Sequence, residues 1–250
     1  MRRVLIGVAA VAMAAGFAMA TVAPGVTAAP RTGFSASCAV GSAAASIAGR
    51  SVCLRDSAQG CRSLLDRAYH RYGFHCEGGV LRLDVGLMVP ILRRRALHIP
   101  LLSPGSECPR TPSSGPLAAI VPGTGNAAAL GTGPAYPALY YGTGEPAVEG
   151  ALFDHPNAAG PADLGVGKVL WVVDPAYGGR VVLVRGRELT GTNEIRFQRG
   201  YPPPAELVVE ARNGLSTASQ EWFREPGCYA FQLDGPGFTR LIVFEVRRLG

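Results

Sequence analysis

Between Tyr136 and Val246 the apolar residues come in short bursts of period two, separated by clusters of Gly, Pro, Asp and Asn. A period of two puts successive side chains on opposite faces of a strand. The bursts predict strands over 136–141, 168–174, 180–187, 194–197, 206–211, 228–234 and 238–246. The last two are the clearest. In Cys228–Asp234, Tyr229, Phe231 and Leu233 share one face, with Cys228, Ala230 and Gln232 on the other. In Phe238–Val246, Ile242, Phe244 and Val246 form the apolar face opposite Thr239, Leu241, Val243 and Glu245. Asp234-Gly235-Pro236-Gly237 between them reads as a tight hairpin connection. Trp171 falls on the apolar Val169/Trp171/Val173 face and is expected in the core, whereas Trp222 reads as part of a loop. Tyr136 and Tyr140 share a face that Tyr141 leaves. No helical period interrupts the series, so crossover helices for a parallel sheet have no place. The expected fold is mainly β, an antiparallel sandwich over residues 136–250.

The preceding residues have another pattern. In Cys61–Tyr72, Leu64, Leu65, Ala68, Tyr69 and Tyr72 form a stripe of helical spacing, and Gly73 is a natural stop. One short helix is expected there, stapled near its ends by Cys61 and Cys76. Val80–Val89 alternates weakly and predicts a strand. Six prolines between Pro104 and Pro134, with Gly and Ser among them, read as irregular chain. The expected divisions are a cysteine-rich region at 31–110, a Pro/Gly-rich linker at 111–135 and the sandwich at 136–250.

The N-terminus adds a compartment. Met1-Arg2-Arg3, an apolar run from Val4 to Ala18, and Ala18-Met19-Ala20 have the three parts of a secretory signal peptide. Cleavage is expected after Ala20, so 1–20 is the signal segment; Ala29 is the alternative end, disfavoured by Pro30. The run is shorter than the ~20 residues that span a bilayer, and no transmembrane span is expected after processing. Arg2-Arg3-Val4-Leu5-Ile6 also fits a twin-arginine core, which leaves the export route open.

Outside the cytoplasm cysteines tend to be oxidised. The six are Cys38, Cys53, Cys61, Cys76, Cys108 and Cys228. Five lie upstream and one at 228, so complete pairing requires a long bridge from Cys228. Sequence alone does not choose its partner; Cys108, from which Pro-rich chain leads into the sandwich, is favoured over Cys76. With Tyr229 facing the core, Cys228 should face outward. A zinc site from Cys61, His70, His75 and Cys76 is disfavoured, since adjacent ligands fit a tetrahedral site poorly. No metal and no cofactor are expected.

Of 24 basic residues, only Lys168 is a lysine. Residues 31–110 carry 11 arginines against 5 acids, whereas 111–250 carry 11 basic residues against 13 acids. That asymmetry falls short of a nucleic-acid-binding charge. Its densest point, Arg93-Arg94-Arg95, is the candidate anion contact, since guanidinium groups pair with phosphate in a fork.

Pro226-Gly227-Cys228-Tyr229-Ala230-Phe231-Gln232-Leu233-Asp234-Gly235, with the strand after it, resembles the last two strands of immunoglobulin-like β-sandwich domains of bacterial surface proteins. Lys168-Val169-Leu170-Trp171, Arg185-Gly186-Arg187-Glu188-Leu189 and Leu101-Leu102-Ser103-Pro104-Gly105-Ser106-Glu107-Cys108-Pro109 extend this likeness. The larger pattern is similar to uncharacterised secreted proteins of high-GC bacteria over about residues 90–250. The resemblance implies an immunoglobulin-like fold and brings no activity or site.

Chemical motifs are sparse. Gly123-Thr124-Gly125-Asn126-Ala127-Ala128 after an apolar run imitates a dinucleotide fingerprint, but Gly131, Gly133 and Pro134 leave no room for the helix that would receive a pyrophosphate. Asp154-His155 beside Pro156 reads as a surface loop, and no serine is nominated to join it in a triad. No catalytic residue is assigned. The expected protein is an exported, non-enzymatic binding or scaffolding component of the cell envelope. Its partner is an anionic envelope component or another surface protein. A secreted hydrolase with a polar site near Asp154 and His155 is the alternative.

Overall fold

Alternating apolar side chains build two groups of strands around one core. The computed structural model describes residues 38–140, 151–156, 164–198, 200, 202–211 and 217–248, of which 151–156 and 248 are described by backbone alone. In chain order the first hairpin is β1 (Ser42–Ile47) and β2 (Arg50–Arg55). A 3-10 turn at Ser63–Leu65 runs into α1 (Asp66–His70), then hairpin β3 (Phe74–Glu77) and β4 (Val80–Leu83), and α2 (Val85–Arg93). β5 (Ser113–Pro116), α3 (Leu117–Ile120) and β6 (Ala128–Leu130) follow. The remaining elements are β7 (Ala135–Tyr140), β8 (Ala151–Pro156), β9 (Gly165–Val173), β10 (Val181–Glu188) and β11 (Arg196–Phe197). β12 (Glu206–Glu210), β13 (Thr217–Phe223), β14 (Gly227–Gly235) and β15 (Phe238–Arg248) complete the series. The chain is mainly β, as its period-two bursts predict.

One group pairs antiparallel in the order β12-β10-β14-β15, and β8 joins β15 in parallel. The other runs β11-β13-β9-β7, all antiparallel. β8 links them: Ala151–Asp154 lie beside Glu245–Arg248, while His155 and Pro156 pair with Val166 and Gly165 of β9. Both groups send alternate residues into one cluster. It holds Val169, Trp171 and Val173 of β9, Tyr229, Phe231 and Leu233 of β14, and Ile242, Phe244 and Val246 of β15. Phe231 is its centre, stacked on Phe244 at 4.4 Å and meeting Trp171 edge-on at 5.0 Å. The β14–β15 turn is the expected hairpin. Gly237 takes φ +78°, and a Cβ there would stand 2.7 Å from the Ser42 carbonyl oxygen, so conformation and close approach both require glycine.

The outward faces of these strands are covered as well. On β10, Val181 and Leu183 join a second core with Ile47, Leu54, Tyr69, Phe74, Leu81, Met88 and Leu92 from the N-terminal elements. On β7 and β9, Ala138 and Val172 pack with Leu117, Val121, Ala127 and Ala129. The segment after α2 straps the outer face of β10, β14 and β15, where Ile99, Leu189, Cys228, Ala230 and Val243 form a small apolar cluster. Its backbone is tied by hydrogen bonds: Arg185 donates to the Arg95 carbonyl (2.9 Å), Gln232 donates to the Ala96 carbonyl (2.9 Å), and the Leu102 amide donates to the Leu189 carbonyl (2.7 Å). Thr111 closes the strap, its hydroxyl accepting the Val243 amide at 2.8 Å.

The structure corrects several sequence expectations. Val80–Val89 is not one strand. β4 ends at Leu83, and Asp84 starts α2 by accepting the Leu87 amide at 3.0 Å, after which Met88, Val89 and Leu92 bury one helical face. Trp222 lies in a strand, β13, rather than a loop; Ser219 and Glu221 point inward there and break the apolar alternation. Asp154 and His155 lie in strand β8 rather than a surface loop. The helix predicted over 61–72 is shorter, a 3-10 turn followed by α1, and that turn leaves Leu64 96% exposed instead of on the buried stripe. Residues 111–135 carry β5, α3 and β6. Cys228 faces away from the main core, but it is buried beneath the strap.

Candidate functional site

All six cysteines are bridged: Cys38–Cys53, Cys61–Cys76 and Cys108–Cys228. The third joins the strap to β14 across a sequence separation of 120, with Cα atoms 5.4 Å apart, inside the ordinary disulfide range. The zinc arrangement weighed above is replaced by specific partners. Cys61 and Cys76 bond each other, and His70 Nε2 lies 2.9 Å from Asp66. Among the described residues no group of three or more His, Cys, Asp or Glu is placed to hold a metal.

The Arg93-Arg94-Arg95 run does not form one exposed patch. Arg93 pairs with Glu206 of β12. Arg95 turns under the β14–β15 hairpin and donates to the Gly235 carbonyl (3.0 Å) and the Phe238 carbonyl (2.6 Å). Arg94 stays exposed at the helix end. After Gly123 and Gly125, both at φ +86°, the chain enters β6 rather than a helix. Trp171 is buried as expected, and Tyr136 and Tyr140 pack beside the cluster of Leu117 and Val172. Tyr141, and the side chains of Asp154 and His155, lie outside the described residues.

A concave site does occur where sequence reading nominated none. A cleft of about 670 Å³ opens between the β1–β2 hairpin and the Ala58–Leu65 segment. Its lining includes Ile47, Val52, Leu54, Leu65, Tyr69 and Leu81, and its charged members are Arg50 and Arg62. That volume falls in the range typical of small-ligand sites. Each wall is braced by its own disulfide, Cys53 being bonded to Cys38 and Cys61 to Cys76. The hairpin is also held by Tyr72, whose hydroxyl accepts the Ser46 amide at 3.0 Å. Neither Arg50 nor Arg62 has a carboxylate partner among the described residues, and both are exposed. Nearby acids are engaged elsewhere. Asp56 accepts the Leu83 amide (2.7 Å), Asp66 accepts the Cys76 amide (2.7 Å), and Asp84 caps α2. The cleft therefore presents positive charge over an apolar floor. Sequence reading missed it because its residues share no motif and meet only through hairpin pairing and disulfides.

Two buried acids have different surroundings. Asp234 is fully buried but satisfied, pairing with Arg185 at 2.7 Å and accepting from Gln232 (2.9 Å) and Thr239 (2.7 Å). Glu221 is fully buried on the inner face of β13 with no cation beside it among the described residues. Ser219 donates to Glu221 Oε1, and Trp171 Nε1 donates to Ser219 at 2.7 Å, while Glu221 Oε2 meets no partner at hydrogen-bond geometry among the described residues. Burial pushes this carboxyl up to about 8, against the smaller lowering effects of Ser219, Trp171 and the Val169 backbone.

Comparison with protein-family models, curated proteins and solved structures finds no match to this chain. No helix among the described residues is long and apolar enough to cross a membrane.

Proposed function

We propose that this chain is an exported, non-enzymatic binding or scaffolding protein of the cell envelope, built on an immunoglobulin-like sandwich and recognising an anionic envelope component. The observation that carries the reading is that all six cysteines are cross-linked, as suits an oxidising compartment. The strand order supports the fold assignment. A strand shared between β9 and the last strand, parallel to the latter, and β14 between β10 and β15 are features of an immunoglobulin-like arrangement. The cleft with Arg50 and Arg62 supports anion binding. The protein expressed with its own N-terminus in a high-GC bacterium provides the test. The expected result is recovery outside the cytoplasm, beginning near Thr21, with no thiol open to alkylation before reduction. An intact Met1 chain found only in the cytoplasm, with free thiols, overturns the reading.

A further inference from the structure

The 3-10 turn beside the cleft carries Leu64, 96% exposed and two residues from Arg62. A fully exposed leucine forgoes the stabilisation that burial would supply. Here it is fixed in place, with its neighbour Leu65 lining the cleft and Cys61 bridged to Cys76. The cleft exposes apolar wall, and its two charges are both positive and unpartnered among the described residues. Arg67 and Arg71, on the same stretch, are also exposed without a carboxylate partner among the described residues. Apolar wall, two arginines in the lining and an exposed leucine on the adjoining turn match an amphiphile with an anionic head. A sugar polymer or a nucleic acid would use the charges and leave Leu64 without a role.

We propose that this face docks on a membrane: the cleft receives the headgroup of an anionic phospholipid at Arg50 and Arg62, and Leu64 enters the acyl layer. The inference rests on the extracytoplasmic reading above and adds the ligand class. Arginine suits the task because its planar fork pairs with phosphate oxygens two at a time. Each wall carries a disulfide, Cys38–Cys53 in one and Cys61–Cys76 in the other, which lowers the cost of ordering that wall on binding.

The test is co-sedimentation of the oxidised full chain with phosphatidylglycerol vesicles and, separately, phosphatidylcholine vesicles. Parent and variants share one N-terminus, so any membrane affinity of that segment cancels. Each basic side chain near an anionic surface contributes about fivefold; the Arg50→Glu/Arg62→Glu variant is therefore expected to bind phosphatidylglycerol at least twentyfold more weakly, with phosphatidylcholine binding unchanged. Leu64→Ser is expected to weaken phosphatidylglycerol binding about tenfold. All three positions are exposed, and an unchanged non-reduced peptide map verifies the fold of each variant. Arg71→Glu, outside the cleft lining, is expected to weaken binding less than the double variant does. The inference is overturned by parent-like binding of the double variant, by a Leu64→Ser variant that binds as the parent does, or by an Arg71→Glu loss equal to that of the double variant. An exported, fully oxidised protein that ignores anionic vesicles refutes this ligand and leaves the envelope reading standing. A cytoplasmic, reduced protein refutes the envelope reading whatever the vesicles show.

Discussion

Replacing Glu221 by Gln tests how the sandwich core tolerates an acid. The carboxyl is fully buried, Ser219 donates to its Oε1, and Oε2 meets no partner at hydrogen-bond geometry among the described residues. Burial outweighs the help from Ser219, Trp171 and the Val169 backbone and so disfavours the charged form. Its folded value lies at about 8, against an ordinary value of 4.5. Between those values the folded chain holds a proton that the unfolded chain releases. Stability from this group is therefore complete below pH 4.5, declines as pH rises, and is gone above about 8. At 1.36 kcal/mol per pH unit, the total is about 5 kcal/mol. Gln matches the neutral acid in shape, keeps an oxygen for Ser219, and does not titrate. The expected result is a stability gain of Glu221→Gln over the parent that is near zero at pH 4.5, grows by roughly 1.4 kcal/mol per pH unit, and levels off above about 8. Urea unfolding of both proteins, with disulfides intact, at whole pH steps from 4 to 9 measures it. Because the proteins share every other titrating group, their difference isolates this residue. Curves that stay parallel across the range would refute a neutral buried Glu221.

Removing the long bridge as Cys108→Ser/Cys228→Ser opens a loop of 120 residues, which the chain-entropy model values at about 5 kcal/mol. A clear fall in Tm is expected in calorimetry, together with faster amide exchange over the strap from Ala96 to Thr111; an unchanged strap would show that its hydrogen bonds suffice. Phe231→Ala removes the ring that stacks on Phe244 and meets Trp171, and is expected to cost about 3–5 kcal/mol in urea unfolding. A loss below about 1 kcal/mol would place the centre of the core elsewhere.

Legibility in the sequence followed the cleanness of local alternation. Tyr229, Phe231 and Leu233, with Ile242, Phe244 and Val246, announce their faces because every inward position is apolar. β13 hides because its inward positions include Ser219 and Glu221, which hydrogen bonds and a held proton accommodate at a cost that local pattern does not show. α2 hides behind Pro90 and β-branched neighbours, though Asp84 followed by Met88, Val89 and Leu92 carries a capping and period signal. The unbroken run Val181–Val184 also held information. Such a run marks a strand buried on both faces, and β10 is covered by the main core on one side and by the N-terminal elements on the other. The Arg93–Arg95 triplet looked like one patch only because sequence adjacency says nothing of partners such as Glu206 and the Phe238 carbonyl, which lie more than a hundred positions away. The cleft depends on contacts between separate hairpins, and no local spacing encodes those.

The strap also orders events in time. Cys38 and Cys53, like Cys61 and Cys76, are 15 positions apart, so each pair can meet soon after its segment emerges. Cys108 has no such neighbour and must wait until Cys228 arrives, 120 positions later. Throughout that interval the apolar residues that will lie against β10 and β14 have nothing to cover, and one thiol stays available to wrong partners. A chain that stops before position 228 retains that thiol permanently. The last bridge thus reports the arrival of β14: its closure distinguishes a molecule whose strap is tied to that strand from one that has made only its local links.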